Sequence, residues 1–169
     1  MKDIASVGFI GVLKAAQVLE LRKAEADYDL QPAAGENRCG EVAWLEFWTM
    51  QAWEIIDHIN RNFFDFDIEG VEIPQYAKYR EGDYFDWHMD KGPQTPHGAR
   101  KLSLTVQLSE IDEYVGGKLE IYTGAEIIAA KSAAGSAIAF PSWILHRVTP
   151  IKRGIRRALV AWAYGPAFR

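Results

Sequence analysis

The apolar positions along the chain change their period near Gly70. Before it the spacing is helical; after it short runs alternate between turn residues. Leu13 to Tyr28 is built of strong helix formers without Pro or Gly, so a helix is predicted there. Its apolar face is mixed, because Leu13, Ala16, Gln17, Leu19, Glu20 and Lys23 do not segregate cleanly. Leu30 to Asn37, which carries Pro32 and Gly35, reads as a loop with a mobile tip. A second helix is predicted from Thr49, its expected cap, to about Phe64, since Trp53, Ile56, Ile59, Asn60 and Phe63 recur at helical spacing. Trp44, Trp48 and Trp53 are expected to pack this helix against a sheet.

Beyond Gly70 the pattern predicts strands at Glu72–Arg80, Tyr84–Met89, Lys101–Ser109, Lys118–Tyr122, Glu126–Ala130, Ser136–Phe140, His146–Pro150 and Arg156–Tyr164. Gly82-Asp83, Gly116-Gly117, Ala134-Gly135 and Arg153-Gly154 punctuate them. The expected fold is mostly β with α: a double-stranded β-helix (jelly roll, cupin-like) with N-terminal helices packed on one sheet. One domain over residues 1–169 is expected, with 1–70 mainly helical support and 71–169 the jelly-roll core.

Composition narrows the function classes. The net charge of -4 speaks against a nucleic-acid partner, which usually meets a basic face. A single cysteine, Cys39, excludes an intrachain disulfide and fits a reducing cytoplasm. No apolar run approaches the ~20 residues that span a bilayer, and the start of the chain lacks the usual form of a signal peptide. The expectation is a cytoplasmic protein with no membrane contact.

The candidate chemistry sits in His88-Met89-Asp90. In an extended strand residues two apart share a face, so the imidazole and the carboxylate would project together. His146, far downstream, supplies a third donor. Two His and one carboxylate holding one face of an octahedron are the arrangement of non-haem Fe(II) oxygenases. Arg156 follows ten residues later within Gly154-Ile155-Arg156.

This ordered set resembles the 2-oxoglutarate- and Fe(II)-dependent oxygenases of the prolyl 4-hydroxylase-like family. The matching pieces are Tyr79-Arg80-Glu81-Gly82-Asp83-Tyr84, Arg100-Lys101-Leu102-Ser103, Tyr114-Val115-Gly116-Gly117, Phe140-Pro141-Ser142, His146-Arg147-Val148 and Gly154-Ile155-Arg156 leading to Trp162. The resemblance implies Fe(II) held by His88, Asp90 and His146. It implies 2-oxoglutarate bound through its far carboxylate by Arg156, helped by the Tyr79 hydroxyl, with O2 as the second co-substrate and ascorbate as the reductant relatives use. It implies a prolyl or other amino-acyl side chain, in a small molecule or a peptide, as substrate, with release of succinate and CO2. Arginine suits the task because it offers a planar fork and keeps its charge when buried. Two departures stand out. Collagen-type relatives carry lysine where this chain has Arg156, and several relatives carry a hydroxyl residue where it has Ala158. Asp90 separates the chain from halogenases, which replace that carboxylate with a small residue.

Three rival readings fit the sequence less well. A non-catalytic jelly-roll binding module would not need an open metal face. A zinc hydrolase would suit His/His/Asp but would have no use for Tyr79 and Arg156. A nucleic-acid demethylase of the same chemistry usually carries a second arginine at a spacing absent here. Bland roles are expected for His58 on a helix, for His97 in a loop, for Arg147 facing away from the metal, and for Arg100 and Lys101 at a solvated edge. Tyr84 and Trp87 are expected to wall the site or join the core. Cys39 is expected to be an unreactive thiol. The stretch Lys91–Gly98 is read as a lid or substrate-facing loop.

Overall fold

The computed structural model describes residues 7–9, 11–92, 99–130 and 133–166. In chain order the elements are β1 (Val7–Phe9), α1 (Ala15–Lys23) and a 3-10 turn (Ala24–Asp27). β2 (Gln31–Pro32), β3 (Arg38–Cys39) and β4 (Glu41–Trp44) follow, then α2 (Thr49–Ile59) with a π turn (Asn60–Phe64). The remainder is β5 (Gly70–Val71), β6 (Gln75–Tyr79), β7 (Tyr84–His88), β8 (Ala99–Gln107), β9 (Tyr114–Gly116) and β10 (Leu119–Tyr122). Last come β11 (Ile127–Ala130), β12 (Ala137–Pro141), β13 (His146–Val148), β14 (Ile151–Gly154) and β15 (Arg156–Gly165).

The strands form a double-stranded β-helix of antiparallel sheets. The major sheet runs β1-β12-β8-β15-β6-β4-β2, with β5 added on β15; the minor sheet runs β11-β10-β13-β7-β3; β9 and β14 pair separately. Alternation along the central strands explains the layering. On β8 and β15, Leu102, Leu104, Val106, Leu159, Ala161 and Ala163 pack against Val18, Leu21, Ile56 and Ile59 of the helices. Burying each Leu or Ile side chain contributes about 1.5–3 kcal/mol. The residues in between, among them Ser103, Thr105, Gln107 and Arg156, are buried on the opposite face. A second cluster, including Tyr79, Leu119, Ile121, Phe140 and Val148, fills the space between the two sheets.

The structure corrects several expectations. The first helix is shorter than Leu13–Tyr28 and tightens into the 3-10 turn. That turn carries Glu25, which accepts hydrogen bonds from Tyr76, Lys78 and Arg157 on the helix-facing side of the major sheet. Burial opposes the Glu25 charge, but the Arg157, Lys78 and Tyr76 donors outweigh it and lower its pKa to about 2. Thr49 is no cap. Trp48 occupies that position without a side-chain bond, and the Thr49 hydroxyl is buried without a partner among the described residues. At the opposite, C-terminal end of the helix, the Asn60 side chain exchanges hydrogen bonds with the Phe66 backbone at 2.8 and 2.9 Å.

The first seventy residues are less helical than expected. They supply β1 to one edge of the major sheet and β2 and β4 to the other, and β3 to the edge of the minor one. The segment expected to be a mobile loop holds β2, paired with β4 through Gln31↔Val42. Such two-residue strands carry no period, so no alternation announces them. Trp48 is buried as expected, but Trp44 lies on β4 and not on the helix. Lys101 is no solvated edge residue: it is buried and donates to the Asp67 carbonyl at 2.7 Å.

Candidate active site

The two histidines are brought together by strand pairing. His88 ends β7 and His146 opens β13, and they stand directly opposite each other in the register. Their ring centres lie 4.2 Å apart. His88 Nδ1 is 2.7 Å from the Asp86 carbonyl oxygen and His146 Nδ1 is 2.9 Å from that of Ile144. A carbonyl only accepts, so each ring carries its proton on Nδ1 and turns a bare Nε2 lone pair inward. That is the tautomer a metal ligand needs.

Asp90 reaches the same point by another route than shared strand parity. β7 stops at His88, and the chain bends, fixed by the Lys91 amide donating to the Ser142 carbonyl at 2.9 Å. The carboxylate then sits between the rings, Oδ1 3.5 Å from His88 Nε2 and Oδ2 3.5 Å from His146 Nε2. All three donor atoms fall within 4.8 Å of one another. Burial pushes the Asp90 pKa upward, but the His88 contact, the neighbouring His146 and the Ser103 hydroxyl more than reverse it, so it stays ionised. Burial lowers the His146 pKa and favours its neutral form. Two inward-facing imidazole nitrogens and one carboxylate fit a divalent iron.

Ser103 was not singled out from the sequence as a site residue. Its hydroxyl donates to Asp90 Oδ2 at 2.7 Å and lies 3.0 Å from that of Ser142. Alternation along β8 was the available signal, since Ser103, Thr105 and Gln107 share the face turned away from the helices.

Arg156 is the first residue of β15 and stands opposite Tyr79 on β6. It is 3% exposed. Its guanidinium carbon lies 5.8 Å from the Tyr79 ring centre, and no ion pair holds it among the described residues. It faces a cavity lined also by Thr105, Gln107, Tyr114, Gly117 and Leu119. Gln107 donates to the Tyr114 hydroxyl at 3.0 Å on that wall. Gly117 is required there: at φ +55 a Cβ would strike Ile151 and come within 3.1 Å of Arg156 Cδ. Burial raises the Tyr79 pKa against the opposing charges of Arg38 and Arg156, so its hydroxyl remains a neutral donor. Arg157 points to the other face, into the Glu25 cluster.

The remaining candidates separate cleanly. His58 is exposed on α2. His97 and residues 93–98 of the expected lid lie outside the described residues. Arg147 pairs with Glu120 at 2.8 Å and lies over Trp87. Arg100 pairs with Glu72 and covers the Trp162 ring at 4.0 Å, so it belongs to the neighbourhood of the site and not to a solvated edge. The aromatics against the candidate ligands include Phe85, stacked on His88 at 3.5 Å, and Phe140, 4.7 Å from the His146 ring. The Cys39 thiol lies 2.9 Å from Asp83, whose carboxylate raises its pKa. No helix among the described residues is long and apolar enough to cross a membrane.

The chain is similar to known proteins. Two PKHD-type hydroxylases, from Alteromonas mediterranea and Cupriavidus metallidurans, are each 39% identical over 94 and 97 residues respectively. Those segments are 53% and 54% of this chain but 42% of each relative, so the match spans less than half the length of these curated relatives. Among solved structures, a Pseudomonas putida prolyl-4-hydroxylase superposes with a TM-score of 0.78 at 22% identity, covering 96% of this chain and 94% of that one. A prolyl hydroxylase from Trichoplax adhaerens, solved with a hypoxia inducible factor peptide, gives 0.72 at 17% identity, covering 95% and 83%. At those identities the two structures speak for the fold. Residues 74–164 match the 2OG-Fe(II) oxygenase superfamily, a span that takes in His88, Asp90, His146 and Arg156 and more than half of the 169 residues; the chain belongs to that superfamily.

Proposed function

We propose that this chain is an Fe(II)- and 2-oxoglutarate-dependent dioxygenase that hydroxylates a prolyl or other amino-acyl side chain, free or in a peptide. The observation that carries the reading is the convergence of His88, Asp90 and His146, together with a cavity headed by the buried Arg156, which has no ion pair among the described residues. Bound iron would supply oxygen activation coupled to oxidative decarboxylation of 2-oxoglutarate, giving succinate, CO2 and a hydroxylated product. The protein's own part is to hold and to exclude. The Nδ1 bonds of both histidines keep their lone pairs aimed at the metal, and Ser103 orients Asp90. Arg156 and Tyr79 receive the far carboxylate of the co-substrate, where the guanidinium offers two parallel donors. The charges then close: iron brings two positive charges, Asp90 and the co-substrate three negative ones, and Arg156 the remaining positive one. Ascorbate belongs to the proposal as reductant. Peptide substrates are supported by the Trichoplax neighbour, solved with a peptide.

The test is anaerobic titration of the purified protein with Fe(II) and then 2-oxoglutarate, followed by succinate formation on admitting O2. One iron per chain is expected, lost in His146→Ala because two ligands remain for an ion that favours six positions. Tight stoichiometric zinc with hydrolysis and no oxygen consumption would overturn the reading.

A further inference from the structure

Arg156 shares its cavity with a tyrosine that the site has not yet used. Tyr114, on β9, lines the same wall. A Cβ built on Gly117 would lie 3.1 Å from Arg156 Cδ and 3.3 Å from Tyr114 Cδ2, so the two side chains come together at one point. Backbone pairing fixes Tyr114 there. It stands opposite Gly154 on β14, and at φ +81 a Cβ on Gly154 would come within 3.0 Å of Tyr114 Cα. Both residues are also held from behind through their neighbours in the chain. Glu113 pairs with Arg22 of α1, and Arg157 pairs with Glu25 of the 3-10 turn, each at 2.5 Å.

The direction of the Tyr114 proton follows from its neighbour. Gln107 Nε2 donates to the Ser109 carbonyl at 3.2 Å and to the Tyr114 hydroxyl at 3.0 Å. A carbonyl only accepts, so the Ser109 bond decides which end of the amide is the nitrogen. Turned the other way, Gln107 would set its oxygen against the Ser109 oxygen. Tyr114 therefore receives a proton from Gln107 and cannot give its own in return. No other hydrogen bond takes that proton among the described residues. It is left beside Arg156, in the cavity that both side chains line. The amide that imposes this is itself buried, so water does not compete for it. Gln107 stands opposite Ala158, which follows Arg156 on the same face of β15 and carries no donor. The donor next to the arginine thus comes across from β9 and not from its own strand.

We propose that Tyr114 binds the co-substrate: its hydroxyl donates to the far carboxylate of 2-oxoglutarate beside the Arg156 guanidinium, and Gln107 is the positioning residue that turns this proton into the cavity. The proposal rests on the dioxygenase reading. A carboxylate offers about four acceptor positions on its two oxygens. The guanidinium fork fills two, Tyr79 a third and Tyr114 the fourth. Every group on this wall then donates, and one of them carries charge. A ketoacid of the same length that ends in a methyl group leaves all of them without a partner, so the wall rejects it.

The experiment measures binding, not turnover. Protein loaded with Mn(II) is titrated anaerobically by calorimetry with 2-oxoglutarate and with 2-oxopentanoate, which keeps the ketoacid end and replaces the far carboxylate by a methyl group. Tyr114→Phe keeps the ring and loses the donor. It is expected to weaken 2-oxoglutarate by about tenfold and to leave 2-oxopentanoate and Mn(II) affinity unchanged. Gln107→Leu lets the hydroxyl turn freely, so a smaller loss confined to 2-oxoglutarate is expected. Adding Gln107→Leu to Tyr114→Phe should then cost nothing more, because the amide acts only through the hydroxyl. Unchanged 2-oxoglutarate affinity in Tyr114→Phe overturns the proposal. An equal loss for both ketoacids also overturns it, since Tyr114 would then serve packing alone. Losses from the two substitutions that simply add remove the positioning role of Gln107. In each of these cases the wild type still binds metal and co-substrate, and the dioxygenase reading stands. A wild-type protein that takes up neither metal nor 2-oxoglutarate sinks that reading and this proposal with it.

Discussion

Arg156→Met separates a role in ligand binding from a role in folding. Methionine keeps much of the aliphatic bulk of the arginine and removes its charge. A charge-assisted hydrogen bond contributes about 1.5–3 kcal/mol, so losing one weakens 2-oxoglutarate by about 10–150-fold. At a concentration about 100 times the wild-type Kd, the ligand stabilises the wild type by about 2.7 kcal/mol. For a chain of this size about 1 kcal/mol moves the melting midpoint by about 2–4 °C, which makes the wild-type shift about 5–11 °C. At the same ligand concentration the variant retains about 0.3–1.4 kcal/mol, or a shift of about 1–6 °C. The ligand-free protein should respond in the opposite sense. Arg156 is 3% exposed and lacks an ion pair among the described residues, so removing its desolvated charge leaves the ligand-free midpoint unchanged or higher. The assay is thermal unfolding under anaerobic conditions with Mn(II), with and without 2-oxoglutarate. Arg157→Ala is the control. It strips a partner from Glu25 and so lowers the ligand-free midpoint, yet it leaves the ligand shift in place. A variant of Arg156 that keeps the full ligand shift refutes the assignment. So does the reverse contrast, in which Arg157→Ala loses the shift and Arg156→Met does not.

Ser103→Ala removes the donor to Asp90 Oδ2 and should weaken metal affinity by about 10–100-fold in a competitive chelator titration; unchanged affinity would show that Asp90 needs no such support. Glu25 has a folded pKa lowered to about 2 from an ordinary 4.5, so it contributes stability above pH 4.5 that is lost as pH falls towards 2. Urea midpoints of Glu25→Gln should accordingly lie below the wild type at pH 6 and converge with it towards pH 2, and a constant gap across that window would contradict the network.

The candidate metal triad was legible in the chain because His88, Asp90 and His146 are chemically unusual residues in a recognisable order, and the candidate Arg156 followed from its distance to His146. Parity along the last strand puts Arg156 and Arg157 on opposite faces, but the spacing from His146, not parity, chose between them. The helical start and strand-rich remainder were legible for the same reason: each period is local. What the short strands would do was not. β2, β3 and β5 are two residues long and owe their place to partners far away in sequence. The same holds for Arg38. Nothing near it in the chain marks it; β3 pairs with β7 through Arg38↔Phe85, and only that pairing lays its guanidinium over the ring stacked on His88. Even the route of Asp90 was decided in three dimensions, by a bend after β7 held from the Ser142 carbonyl and by a serine on the facing sheet. Residue identity determined which groups could bind a metal and an anion. Burial and cross-strand pairing, which no local period encodes, decided which cations were left without a counter-ion and therefore available to ligands.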